Sequence, residues 1–172
     1  MNNVPPGFTP LFRTSPFLEV VGPFYQRTEG DRLVIGVRIA AHHTNTRGRA
    51  HGGLLVTMAD IALGYNAAFL GGEKSPGAIP TSLLTTVNLS IDFVGSAKLG
   101  DWVEARVDVQ KVGRRLAFAN TYLSVGPERI VRASAVFAVS SQDTPADPAG
   151  ALLVASADLE SHLADSSQAG PQ

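Results

Sequence analysis

The most regular feature of the chain is a strict alternation over residues 84–93. Thr86, Asn88, Ser90 and Asp92 fall on one side, with Val87, Leu89, Ile91 and Phe93 on the other. A period of two at this length predicts a strand with one face on a core. Alternation returns at 102–111, 116–125 and 129–140, across turn signals at 98–101, 113–115 and 126–127. Such short turns join antiparallel neighbours, so the last three strands are expected to form a meander. Upstream the pattern changes. Residues 52–69 are apolar nearly all round, which predicts one long buried helix closed by Gly71-Gly72. Residues 17–28 and 32–40 read as two earlier strands, the first interrupted at Gly22-Pro23, and 42–50 as a polar loop.

This order, two strands, one helix and four strands, is an α+β layout. An all-apolar helix needs more cover than one face of a small sheet provides. A curved antiparallel sheet wrapped round it, completed by dimerisation, would supply that cover. Residues 17–140 form the expected domain. Residues 1–16, rich in Pro and Gly, are expected to be an irregular arm with one short helical turn near 10–13. Residues 141–172, rich in Ala, Ser, Asp and Pro, are expected to be a flexible tail with a weak amphipathic helix at 151–163.

Composition narrows the function classes. The 172 residues suit one domain, and 44% hydrophobic with 17% charged residues is ordinary for a globular protein. A net charge of -1 gives no overall field toward nucleic acid or an anionic membrane, so neither is an expected partner. The absence of cysteine excludes disulfides, thiolate zinc sites and a cysteine nucleophile, and is compatible with the cytoplasm, the expected location. The N-terminus has neither the basic nor the apolar region of a signal peptide. Residues 52–70 reach the length needed to span a bilayer, but Asp60 lies inside, and a carboxylate there costs about 2.5 kcal/mol or more. A helix buried in a globular core is the expected reading.

Candidate chemistry lies within residues 45–60. Glycines at 52 and 53 open the helix, where free N–H groups carry the positive end of its dipole and allow close approach of a substrate. Aimed at a carbonyl oxygen, such groups form an oxyanion hole; the alternative is a simple loop-to-helix joint. Asp60 is the only charged residue between Arg49 and Glu73. Burying a carboxylate there asks for a reason: a structural hydrogen-bond network, or a general base or nucleophile. Gly53, Thr57, Asp60, Gly64 and Ala67 form a narrow small-residue face, and Leu54, Met58, Ile61, Tyr65 and Phe69 a bulkier stripe. The small face suits a close-packed partner helix, a thin ligand, or both. Gly52 and Asp60 stand about 12 Å apart along a helix, so one chain's pair cannot serve the same carbonyl. If both act, the site is shared between two subunits.

Asn45 and Gly48, then His51-Gly52-Gly53 and Asp60, resemble the signature of hotdog-fold thioesterases of the phenylacetate-degradation type. Residues 87–101, ending in Lys98-Leu99-Gly100-Asp101, are similar to that family's central strand and turn, and residues 111–118 to its next hairpin. The resemblance spans residues 17–139. It implies hydrolysis of acyl-CoA by a homodimer or a dimer-of-dimers tetramer, with coenzyme A as part of the substrate and no other cofactor. It implies that the Gly52 N–H holds the thioester carbonyl, that Asp60 attacks or activates water, and that Asn45 places the carbonyl or the water. It also places an assisting hydroxyl at Thr86, although Thr85 is adjacent and shares the alternation face of Val87 and Leu89. His51 and Gly53 would shape the turn against the substrate.

Phosphates of coenzyme A need cations, and Arg114 and Arg115, after Gly113, are the leading candidates, with Arg47 and Arg49 flanking the loop. A solvated hairpin tip is the plain alternative for the first pair. No metal site is expected, because His42, His43 and His51 lack acidic partners. No Gly-x-Ser-x-Gly is present, which disfavours a serine hydrolase. Rival readings are an acyl-thioester hydratase or dehydratase, which needs a second acid-base group, and a non-catalytic acyl-CoA-binding protein.

Overall fold

The computed structural model describes residues 4–70 and 84–140. The elements are β1 (Thr9–Pro10), α1 (Pro16–Val21), β2 (Phe24–Glu29), β3 (Arg32–Arg38), a 3-10 turn (Ala41–His43), α2 (Gly52–Leu70), β4 (Leu84–Phe93), β5 (Trp102–Val112), β6 (Leu116–Val125) and β7 (Glu128–Val139). The strands form one antiparallel sheet in the order β1-β2-β3-β5-β6-β7-β4. The meander of β5, β6 and β7 is as expected, and β4 closes the outer side of β7 as an edge strand. The glycine stop at 71–72 and the tail from residue 141 lie outside the described residues.

The first predicted strand divides. Ser15 caps a helix by accepting a hydrogen bond from the Leu18 N–H at 3.3 Å, and Pro16 takes the first helical position, where its missing N–H costs nothing. Residues 16–21 are therefore helical and only Phe24–Glu29 is strand. The arm also differs from the irregular segment expected. Thr9 and Pro10 pair with Gln26 and Tyr25, and the Phe8 ring meets Trp102 edge-on at 5.0 Å. No helical turn forms at residues 10–13. Trp102 itself lies across β3 at Gly36, where an added Cβ would stand 2.2 Å from the indole, so glycine is required.

α2 lies on one face of the sheet. Leu55, Met58, Ala59, Ala62 and Leu63 are buried beneath it, against a sheet face rich in alanine: Ala105, Ala117, Ala119, Ala133 and Ala135. Small side chains there let the helix settle close to the strands. By length and composition α2 could cross a membrane, and half of it is buried within the fold.

Asn66 is a buried polar residue of that interface. Its Oδ1 accepts from the Leu33 N–H at 2.9 Å, while Nδ2 donates to the carbonyls of Leu33 and Ala62, both at 2.9 Å. The side chain thus pairs backbone groups of β3 that no strand pairs. Asn66→Leu, similar in size, strands the Leu33 N–H and C=O in the core and should lower unfolding free energy by about 2–4 kcal/mol. Urea denaturation measures this, and a loss below about 1 kcal/mol would mean that water replaces the amide.

Candidate active site

The loop before α2 is built by its own side chains. Asn45 Oδ1 accepts from the N–H groups of Arg47 at 2.9 Å and Arg49 at 3.3 Å, and Gly48 turns with φ of 67°. Asn45 therefore shapes the loop with its oxygen, leaving its Nδ2 hydrogens for a ligand. Beneath it, buried His43 ties the loop to the end of α1. Its Nδ1 accepts from the Ala40 N–H at 3.0 Å, and Nε2 faces the Gly22 carbonyl at 3.1 Å. Burial holds its pKa below the ordinary imidazole value, consistent with a neutral ring donating from Nε2.

His51 is exposed, and its Nδ1 accepts from the Gly53 N–H at 2.9 Å. The His51 carbonyl takes the N–H groups of Leu54 and Leu55. Three of the first four N–H groups of α2 are thus capped by one residue, while that of Gly52 has no partner among the described residues. His51 fixes the turn, and Gly53 makes room for it: a Cβ there would stand 3.0 Å from Nδ1. Gly52 leaves a free N–H at the positive end of the helix dipole, a position from which a donor can hold an oxyanion.

Asp60 lies two turns along α2, half-buried rather than enclosed within the single chain. Its Oδ1 accepts from the Thr86 Oγ1 hydroxyl at 2.9 Å; Oδ2 has no partner among the described residues. The hydroxyl is Thr86, not Thr85, for a reason the alternation hid. The ladder between β4 and β7 pairs Thr86 with Phe137 and Asn88 with Val136, leaving Val87 as an unpaired bulge. One extra residue reverses the faces on either side of it. Thr86 therefore joins Leu89 and Ile91 on the helix side.

Two hollows meet at Asp60. One, of about 390 Å³, includes Phe17, Thr57, Ile61, Tyr65 and Leu89 in its wall; the other, of about 130 Å³, includes Gly64, Leu84, Thr86 and Phe137. The small-residue face at 53, 57, 60 and 64 is open as expected, but Ala67 is buried, and Ile61, Tyr65 and Phe69 of the bulkier stripe are only partly covered. A larger hollow, of about 560 Å³, lies on the opposite face of the sheet among Asp92, Asp108, Arg106 and Arg132. It is polar and shares no residue with the Asp60 hollows.

Arg114 and Arg115 are exposed at the β5–β6 turn. The Arg115 carbonyl accepts from Val139, which pairs with Leu84 at the start of β4; Gly52 instead faces Phe93 at its end. These positions are separated by most of a ten-residue strand, about 30 Å at 3.3 Å per residue. Within one chain, then, Asn45, His51 and Gly52 with Arg47 and Arg49 form one group. Asp60 and Thr86 form another, toward the end of the sheet that carries Arg114 and Arg115. Sequence patterning missed the contribution of α1 to this region, although the Ser15-Pro16 helix start was its available signal.

The chain is 46% identical over 138 residues to a Pseudomonas aeruginosa protein whose name describes it as a putative esterase, covering 80% of this chain and 98% of that one. Residues 47–124, the stretch containing α2 and Thr86 and beginning just after Asn45, match the family described as the thioesterase superfamily. The chain belongs to the thioesterase superfamily. Among other relatives, mouse acyl-coenzyme A thioesterase 13 is 28% identical over 94 residues, 55% of this chain and 61% of that protein. The superposition on a variant of the phenylacetic acid degradation protein PaaI of Thermus thermophilus has a TM-score of 0.58 at 21% identity, over 73% of this chain and 99% of that one. The antiparallel sheet with one long helix is accordingly the hotdog fold, and thioester hydrolysis is the activity class of this thioesterase's family.

Proposed function

We propose that this thioesterase hydrolyses acyl-CoA to a free acid and coenzyme A, in a site assembled from two subunits. The observation that carries the reading is the split itself: a free Gly52 N–H at one end of the molecule and a Thr86-held Asp60 carboxylate about 12 Å further along the same helix. Neither half suffices for acyl transfer. The β4 edge is ten residues long, with no strand on its outer side among the described residues. Antiparallel pairing of two such edges would satisfy their open backbone groups and bring one subunit's Gly52 end to the other's Asp60 end. The same pairing would carry the partner's Arg114 and Arg115 toward the Arg47 and Arg49 loop, where phosphates of coenzyme A need cations.

In such a site the thioester oxygen accepts from the Gly52 N–H, with the Asn45 amide as a second donor. Asp60 attacks the carbonyl carbon, or takes the proton of a water that does so. The negative charge that forms on oxygen is then held at the helix N-terminus. Where Asp60 acts as base, collapse breaks the C–S bond and the proton held by Asp60 goes to the departing thiolate. Where it attacks directly, collapse expels the thiolate and leaves a mixed anhydride on Asp60, which water then cleaves to the free acid while its proton goes to the thiolate. A hydratase or dehydratase would need a second acid-base group; the described residues lining the two Asp60 hollows include no histidine and no other carboxylate.

Thiol release from acetyl-, hexanoyl-, phenylacetyl- and palmitoyl-CoA tests the reading. We expect turnover on at least one of the four with a sedimentation profile of a dimer or larger. Tight binding of acyl-CoA without any thiol release would instead support the non-catalytic alternative. The cytoplasm remains the proposed location, in keeping with a cysteine-free chain.

A further inference from the structure

We propose that the N-terminal arm selects the acyl group, with Phe17 of α1 as the wall that the group packs against. This inference rests on the thioesterase reading above and names the substrate class of the same site: an aromatic or medium-chain acyl group. The hollow of about 390 Å³ runs between α1 and β4 along the open face of α2. Phe17, Leu18, Val56, Ile61, Tyr65 and Leu89 give it hydrocarbon walls, and Asp60 supplies its charge. An apolar cleft with a carboxylate at one point suits a hydrocarbon tail whose carbonyl lies at the acid. Acetyl would leave most of the volume unfilled. Tyr65 stands five residues beyond Asp60, about 7.5 Å along the helix axis, and marks how far the tail extends beside α2.

The arm is held as a wall, not draped over the surface. Leu18 is buried in the core and Ser15 caps α1. The Phe12 ring lies 5.4 Å from that of Tyr65, and the Tyr65 hydroxyl donates to the Arg13 carbonyl at 3.4 Å. Burial pushes the Tyr65 phenol above its ordinary pKa, keeping it a neutral donor. Phe17, by contrast, is 59% exposed while lining the hollow. An aromatic ring fixed on a capped helix and left open to water gains most by covering an apolar ligand. The arm also precedes residues 47–124, the stretch matched to the superfamily, so it can set acyl preference without altering the Asp60 and Gly52 groups.

The test compares wild type with Phe17→Ala and Phe17→Trp on acetyl-, hexanoyl-, phenylacetyl- and palmitoyl-CoA. Wild type should prefer hexanoyl or phenylacetyl to acetyl. Phe17→Ala should lose about tenfold in kcat/KM on the preferred group, with acetyl changed by less than about twofold. Phe17→Trp, which narrows the hollow, should shift preference toward the smaller acyl groups. Equal losses on all four substrates, no change on any, or dissociation of the oligomer in Phe17→Ala would overturn the proposal. If wild type turns over none of them, the thioesterase reading fails instead. The wall is then tested by hexyl-coenzyme A, a thioether: weaker binding to Phe17→Ala supports it, and unchanged binding removes it.

Discussion

Asp60→Asn should reduce kcat for thiol release by about 10³-fold while leaving fold and oligomeric state unchanged. The carboxamide is nearly isosteric, and its oxygen can still accept the Thr86 hydroxyl that Asp60 Oδ1 accepts at 2.9 Å. What it lacks is basicity and nucleophilicity. Because Asp60 is half-buried with no ion-pair partner among the described residues, removing its charge strands no buried cation. Stability should therefore change little. Thr86→Val is the companion variant: it keeps the acid and loses the hydroxyl that aims it, and should cost about tenfold in kcat. Full activity of Asp60→Asn on the preferred acyl-CoA would sink the assignment of the acid, whichever way Asp60 acts.

Gly52→Pro should cost a further large factor, about 10²–10³ in kcat, by deleting one N–H. Proline is well suited to the first position of a helix, and Gly52 is the first residue of α2. Its backbone N–H bonds to no other described group, so the helix loses no internal hydrogen bond. Gly52→Ala is the control, because it keeps the N–H, and its Cβ would meet the Phe93 ring at an ordinary 3.5 Å. We expect alanine to stay within a few-fold of wild type and proline to be nearly inactive but folded. Mixing the two inactive variants then reads the architecture. In a heterodimer of Gly52→Pro and Asp60→Asn, one of the two shared sites has both an intact Gly52 and an intact Asp60. Unfolding and refolding the mixture should restore about a quarter of wild-type activity, half the dimers each carrying one working site. If Gly52 and Asp60 of one chain served the same site, no mixture would recover.

Much of this was legible along the chain. The antiparallel meander follows from period-two alternation across two- to four-residue turns, and α2 from an apolar run whose only charge is Asp60. His51 as a turn residue was also readable, and the structure gives it the Gly53 N–H as its partner. Other features escaped. Residues 17–21 read as the start of a strand, yet a serine cap followed by proline makes them helical. Alternation puts Thr86 on the wrong face because it counts residues, whereas the sheet pairs them, and the bulge at Val87 uses a residue with no glycine to announce it. The role of Asn66 was invisible too, since which backbone groups lack a strand partner depends on the register of β3 with β5.

The sequence by itself determined the local part of the site: a glycine-opened helix and one acid eight residues along it, while the assisting hydroxyl came only as an implication of the family resemblance. These follow from local rules, in which spacing along a helix or strand converts directly into distance. Tertiary structure alone decided which hydroxyl meets the acid, that a capped arm forms one side of its apolar hollow, and that the basic hairpin lies about 30 Å from the Gly52 end. Those relations arise from strand pairing and helix packing between residues far apart in the chain. Helix spacing keeps Gly52 and Asp60 of one chain from acting on one carbonyl, and in three dimensions they stand as two half-sites about 12 Å apart along α2.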